Sequence, residues 1–72
     1  MGKPLDHLTL AKVATQEEMG ELLQVIGKID RFGLRSPHPE TGETNLQALA
    51  GEIGDLQGSL AFYVDELTDT MT

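Results

Sequence analysis

Two short acidic stretches carry the residues best suited to chemistry: "EEMGE", residues 17–21, and "EIGD", residues 52–55. On a helix, Glu18 and Glu21 lie about one turn apart on one side, and Glu52 and Asp55 repeat that spacing. If the two segments fold against each other, these four carboxylates converge. Two unit negative charges about 4 Å apart repel by roughly 4 kcal/mol at an effective dielectric near 20, so a converged set must bind a cation or take up protons. A hard divalent ion with oxygen ligands, magnesium first and manganese second, suits Glu18, Glu21, Glu52 and Asp55 as ligands. Exposed acids at helical spacing are also common as plain solvated faces, so their direction matters.

The elements that would position these acids follow from the punctuation of the chain. The stretch "FGLRSPHPETGET", residues 32–44, contains Gly33, Pro37, Pro39 and Gly42 and breaks any continuous helix. Gly33 suits a position just past a helix end, with Lys28 and Arg31 near the negative end of the dipole. Thr44 followed by Gln47 fits a capping box opening a second helix. These signals predict a helix over about 6–32, a loop over about 33–44 and a helix over about 45–68, all within one domain of residues 1–72. The fold class expected is all-α: a hairpin of two long helices.

In the first helix, Leu8, Ala11, Thr15, Met19, Leu22, Val25, Ile26 and Ile29 gather into one apolar stripe. Glu18 falls inside that stripe between Leu22 and Val25, Glu21 at its edge and Glu17 farther round. At least one carboxylate is thus expected to face the core, which is costly without compensation. In the second helix, Leu46, Leu49, Ile53, Leu56, Leu60, Tyr63 and Leu67 alternate spacings of three and four, the pattern of a helical-bundle seam. Gly51, Gly54 and Gly58 lie on another side. They imply either a close helix crossing or a ligand approaching the backbone.

Seventy-two residues without cysteine exclude disulfides and thiolate metal sites. A single core of this size rarely supplies more than roughly 3–5 kcal/mol, so self-association is expected. Twelve acidic against five basic residues give a net charge of −7, which argues against a nucleic acid polymer as partner. No apolar run is long enough to span a bilayer and no signal-peptide pattern opens the chain, so no membrane partner and a cytoplasmic location are expected.

The acidic motifs resemble a known pattern. "EEMGE" followed by "EIGD" is similar to the EExxE…ExxD signature of the MazG-like all-α nucleoside triphosphate pyrophosphohydrolases. "GKIDRFG" resembles the end of the first motif helix in the short phage and bacterial type, and "TNLQALAGEIGDLQGSLAFYVDEL" resembles the second motif helix. The resemblance covers roughly residues 10–67. It implies a magnesium-dependent hydrolase that cleaves a nucleoside triphosphate between the α- and β-phosphates to give the monophosphate and pyrophosphate. It also implies a helical bundle completed by dimerisation or tetramerisation. Carried over by position, Glu18, Glu21, Glu52 and Asp55 become metal ligands. Glu17 completes the catalytic acidic set from behind them or orients the attacking water.

Among the remaining residues, Lys28 and Arg31 read either as dipole-compensating cations or as contacts to triphosphate oxygens. Phe62 reads as a core or dimer contact or as a stacking surface for the base. His7 and His38 read as ordinary exposed histidines. Two other functions fit the same sequence: a nucleotide-binding protein without turnover, and a structural helical dimerisation module whose acids stay wet.

Overall fold

A computed structural model of the chain describes residues 6–71; residues 1–5 and 72, the ends of the domain read from sequence, lie outside the described residues. Two helices, α1 (His7–Phe32) and α2 (Asn45–Met71), pack against each other as an antiparallel hairpin, and the described residues contain no strand longer than an isolated bridge.

Local chemistry accounts for each helix end. Asp6 caps α1 by accepting from the Thr9 amide at 2.7 Å, and this bond to the charged form lowers the Asp6 pKa. Gly33 closes α1 at φ 94° and ψ 159°, a region essentially reserved for glycine, and its amide donates to the Ile29 carbonyl at 2.8 Å. The capping box is present: the Thr44 amide donates to Gln47 Oε1 at 2.9 Å, and the Gln47 amide donates to Thr44 Oγ1 at 3.2 Å. Helix α2 runs past Thr68 to Met71. Thr68 and Thr70 each donate a hydroxyl hydrogen bond to the carbonyl four residues back, so these polar side chains fold onto the helix.

The connecting loop is held on both sides. Pro37 and Thr44 form an antiparallel bridge, and the His38 amide donates to the Glu43 carbonyl at 2.7 Å. Asn45 then ties the loop to α1 through its side-chain amide on the Gly33 carbonyl at 2.9 Å.

The contact between the helices differs from the apolar stripes. Along α1 it runs through Ala11, Thr15, Glu18, Leu22 and Val25; along α2 it runs through Leu49, Glu52, Leu56, Ser59 and Tyr63. Thr15 is buried and its hydroxyl donates across to the Ser59 carbonyl at 3.3 Å. Four residues of the expected α2 seam, Leu46, Ile53, Leu60 and Leu67, instead remain 38–43% exposed, and Met19 and Ile26 of α1 are likewise exposed. The physical reason is geometric. Each apolar arc is wider than one neighbouring helix can cover, so the contact settles on one flank of each arc and leaves the other flank bare. Ala11 and Val25 are the buried hydrophobic residues among those described.

Candidate metal centre

The hairpin brings together carboxylates from both helices. Glu18, Glu52 and Asp55 each offer an oxygen, and these oxygens lie within 4.8 Å of one another. Glu18 and Glu52 occupy the helix–helix contact itself and are half-buried, while Asp55 is exposed at its margin. One oxygen on each contact residue, Glu18 Oε2 and Glu52 Oε2, is buried with no hydrogen-bond partner. A buried acceptor without a partner is uncommon and calls for an explanation such as an ion or ordered water.

The electrostatics agree with the geometry. Burial raises the pKa of Glu18, with the charges of Glu21 and Asp55 adding to it. Burial likewise raises that of Glu52, followed by a hydrogen bond that its protonated form donates to Glu21 and by the charges of Glu21, Glu18 and Asp55. Two half-buried glutamates that resist ionisation are what a cation would relieve. Magnesium holds oxygen ligands at about 2.0–2.1 Å, so neighbouring ligands of one ion sit about 3 Å apart and the three carboxylates would have to draw closer than in the empty cluster. The donor set, carboxylate oxygen throughout, fits a hard divalent ion.

The other residues read from sequence are distributed around this centre. Glu21 is exposed and lies outside the tight three-oxygen group, yet it is near enough to raise both half-buried glutamates. Of the four carboxylates read from sequence as ligands, Glu21 is thus the one that stands at the edge of the cluster. Glu17 is exposed one position before Glu18 and turned toward the same open side. A Cβ built on Gly51, Gly54 or Gly58 would meet nothing within 4 Å, so these glycines do not serve a close crossing within the hairpin. They leave the α2 backbone open beside Asp55.

Lys28 lies two turns beyond Glu21, a rise of about 10 Å, and lines a cavity of about 420 Å³ at the closed end of the hairpin. Phe32, Pro37, His38 and Asn45 also line it. Arg31 does not; its guanidinium sits over the Phe32 ring, 5.6 Å from the centroid. Phe62 is exposed, on the flank of α2 that carries Asp55 and Gly58. His38 is exposed in the loop, as its sequence context predicts, and its Nδ1 accepts from the Glu40 amide at 3.1 Å. That bond leaves the ring proton on Nε2 as a donor. The cavity was missed because its walls join residues 25–48 through backbone bonds of the loop, which no helical periodicity reports. The one local signal was the concentration of Pro37, His38 and Pro39 beside an aromatic residue.

Comparison with protein-family models, curated proteins and solved structures finds no match for this chain.

None of the described helices is long and apolar enough to cross a membrane.

Proposed function

We propose that this protein is a divalent-cation-dependent hydrolase that cleaves nucleoside triphosphates between the α- and β-phosphates, releasing pyrophosphate. The observation that carries this proposal is the convergence of Glu18, Glu52 and Asp55 within 4.8 Å, with two of their oxygens buried and unpartnered. Half-buried, ionised carboxylates cost a helical hairpin stability, a cost that a bound cation would offset. The resemblance of the two acidic motifs to the MazG-like pyrophosphohydrolases gives the cation its reaction.

Glu18, Glu52 and Asp55 would hold the ion, magnesium or in its place manganese. When bound, it would neutralise phosphate charge and make water nucleophilic near neutral pH. Without it the acidic side would repel the substrate, because the chain carries a net charge of −7. Glu17 and Glu21, exposed on the same side, are placed to orient the attacking water and to accept its proton. Water attacks the α-phosphorus in line, and the bond from that phosphorus to the bridging oxygen breaks, so the electron pair leaves with pyrophosphate. Lys28 donates to phosphate oxygens between the acids and the cavity, and the cavity of Phe32, Pro37 and His38 receives the nucleoside end. Phe62 borders the open glycine-lined flank as a second apolar surface.

Pyrophosphate release from a panel of nucleoside triphosphates with magnesium tests the proposal. Turnover of at least one triphosphate is expected, abolished by Glu52→Gln or Asp55→Asn. Release of orthophosphate alone, or no turnover with any member of the panel, would contradict it.

A further inference from the structure

The cavity at the closed end of the hairpin, about 420 Å³, is of a size that takes a small molecule. Its polar groups are graded along the hairpin. Lys28 lines the end nearer the acids, as does Ala48, one helical turn before Glu52. His38 and Glu43 line the far end, in the loop. Among the described residues Lys28 and Glu43 form no ion pair with each other, so a cation and a carboxylate both stay available to a ligand. Phe32 adds a flat surface. Its ring is 66% exposed although the Arg31 guanidinium lies over one face, which leaves the opposite face open to a second planar group.

We infer that this cavity selects a planar base carrying an exocyclic amino group beside an unprotonated ring nitrogen, as in adenine and cytosine. The base stacks on Phe32 and turns its amino edge toward the loop. The inference rests on the hydrolase proposal for the position of the phosphates, beside Lys28, and adds the part of the substrate that is chosen. Three side chains supply the choice. His38 Nδ1 accepts from the Glu40 and Thr41 amides at 3.1 and 3.4 Å, so neutral His38 presents Nε2–H as a donor in a fixed direction. The Asn45 side-chain nitrogen is held on the Gly33 carbonyl at 2.9 Å, which leaves its oxygen as an acceptor. Glu43 is an acceptor through both carboxylate oxygens, and its backbone is fixed by the Thr41 hydroxyl on its amide and the His38 amide on its carbonyl. The set therefore offers one donor against a surplus of acceptors. An amino group brings two N–H hydrogens to those acceptors, while the neighbouring ring nitrogen accepts from His38. A base with a carbonyl in place of the amine brings a single ring N–H and sets its oxygen against a carboxylate oxygen with no proton between them. Because backbone bonds of the loop already hold His38 and Asn45, little order is lost on binding.

Titration of the full chain with cytidine, uridine, adenosine and inosine, followed by amide chemical shifts in nuclear magnetic resonance, tests the inference without requiring turnover. Cytidine should bind about tenfold more tightly than uridine, and adenosine than inosine, with shifts centred on the loop and on Phe32. Glu43→Gln, whose amide can donate as well as accept, should bring each pair to near equality. Phe32→Ala should weaken all four about tenfold without changing their order. Uridine and inosine binding as well as their amino counterparts would overturn the inference. So would a preference that survives Glu43→Gln, or no shift at the cavity with any of the four. The two proposals fail separately. Amino-selective nucleoside binding with no triphosphate turnover would overturn the hydrolase proposal and support the cavity's selectivity, whereas turnover indifferent to the base would do the reverse.

Discussion

The two flat sides of the hairpin are built from the same helices and obey opposite rules. One carries Glu17, Glu21, Asp55 and three glycines; the other carries Met19, Ile26, Leu46, Ile53 and Leu60. Between them runs a contact in which glutamates stand where aliphatic residues would stabilise more. The contact holds Glu18 and Glu52 at a cost to the fold, while the apolar side leaves large hydrophobic residues exposed. Exposed acids and exposed apolar residues are therefore placed on different sides of a single layer, and each side can be changed while the other reports whether the fold survives.

The largest effect that would sharpen this contrast concerns the glutamates of the contact. Glu18→Gln and Glu52→Gln should each reduce pyrophosphate release by at least about 100-fold, beyond the usual loss for residues that merely support metal ligands. The same substitutions should raise the melting temperature of the metal-free protein, because each removes a charge from a half-buried position. Equal losses of activity and stability in calorimetry would break the distinction between the two sides.

Next in size is the hairpin's closed end, which belongs to neither side. Gly33→Ala forces a side chain into a glycine-only backbone conformation and should cost about 1–3 kcal/mol in denaturant unfolding. Thr44→Ala removes half of the capping box and should cost about 1 kcal/mol by the same measurement. Neither should alter cation binding at the acids, whereas both should disturb substrate affinity through the cavity walls.

The smallest effect is on pH dependence. Glu18 and Glu52 hold protons more tightly in the folded than in the unfolded state, so their contribution to stability is fully present below the ordinary glutamate range. It is lost as pH rises through the raised folded values, so the metal-free protein should melt higher at about pH 5 than at about pH 7 from these groups. Asp6 runs the other way: its pKa is lowered by folding, and its contribution is present above the unfolded value and lost as pH falls through the folded one. Melting the Glu18→Gln, Glu52→Gln double variant across this range should flatten the first dependence and leave the second. A wild-type profile unchanged by the double variant would count against the raised values.

The hairpin was legible because its signals are local. Gly33, the Thr44–Gln47 box and the proline-rich connection each act over a few residues, and each is found where the spacing placed it. Convergence of the acids was legible for the same reason, since Glu18 lies inside an apolar arc and Glu52 one turn from Asp55. The phase of the helix contact was not. A heptad of leucines specifies the centre of an apolar arc, but which flank meets the neighbour depends on how the loop sets the two helices. Leu46, Ile53 and Leu60 therefore lie off the contact between the two helices, and Glu21 lies outside the three-oxygen group of Glu18, Glu52 and Asp55. The cavity near His38 depends on backbone bonds between Asn45 and residues 33 and 36, which no single stretch of sequence displays.

Isothermal titration of the purified, chelator-treated protein with manganese tests the central claim most directly. Saturable binding is predicted for the wild type, competed by magnesium and lost in Glu52→Gln and in Asp55→Asn. Heats indistinguishable from dilution, or binding that survives both substitutions, would contradict a cation site at Glu18, Glu52 and Asp55.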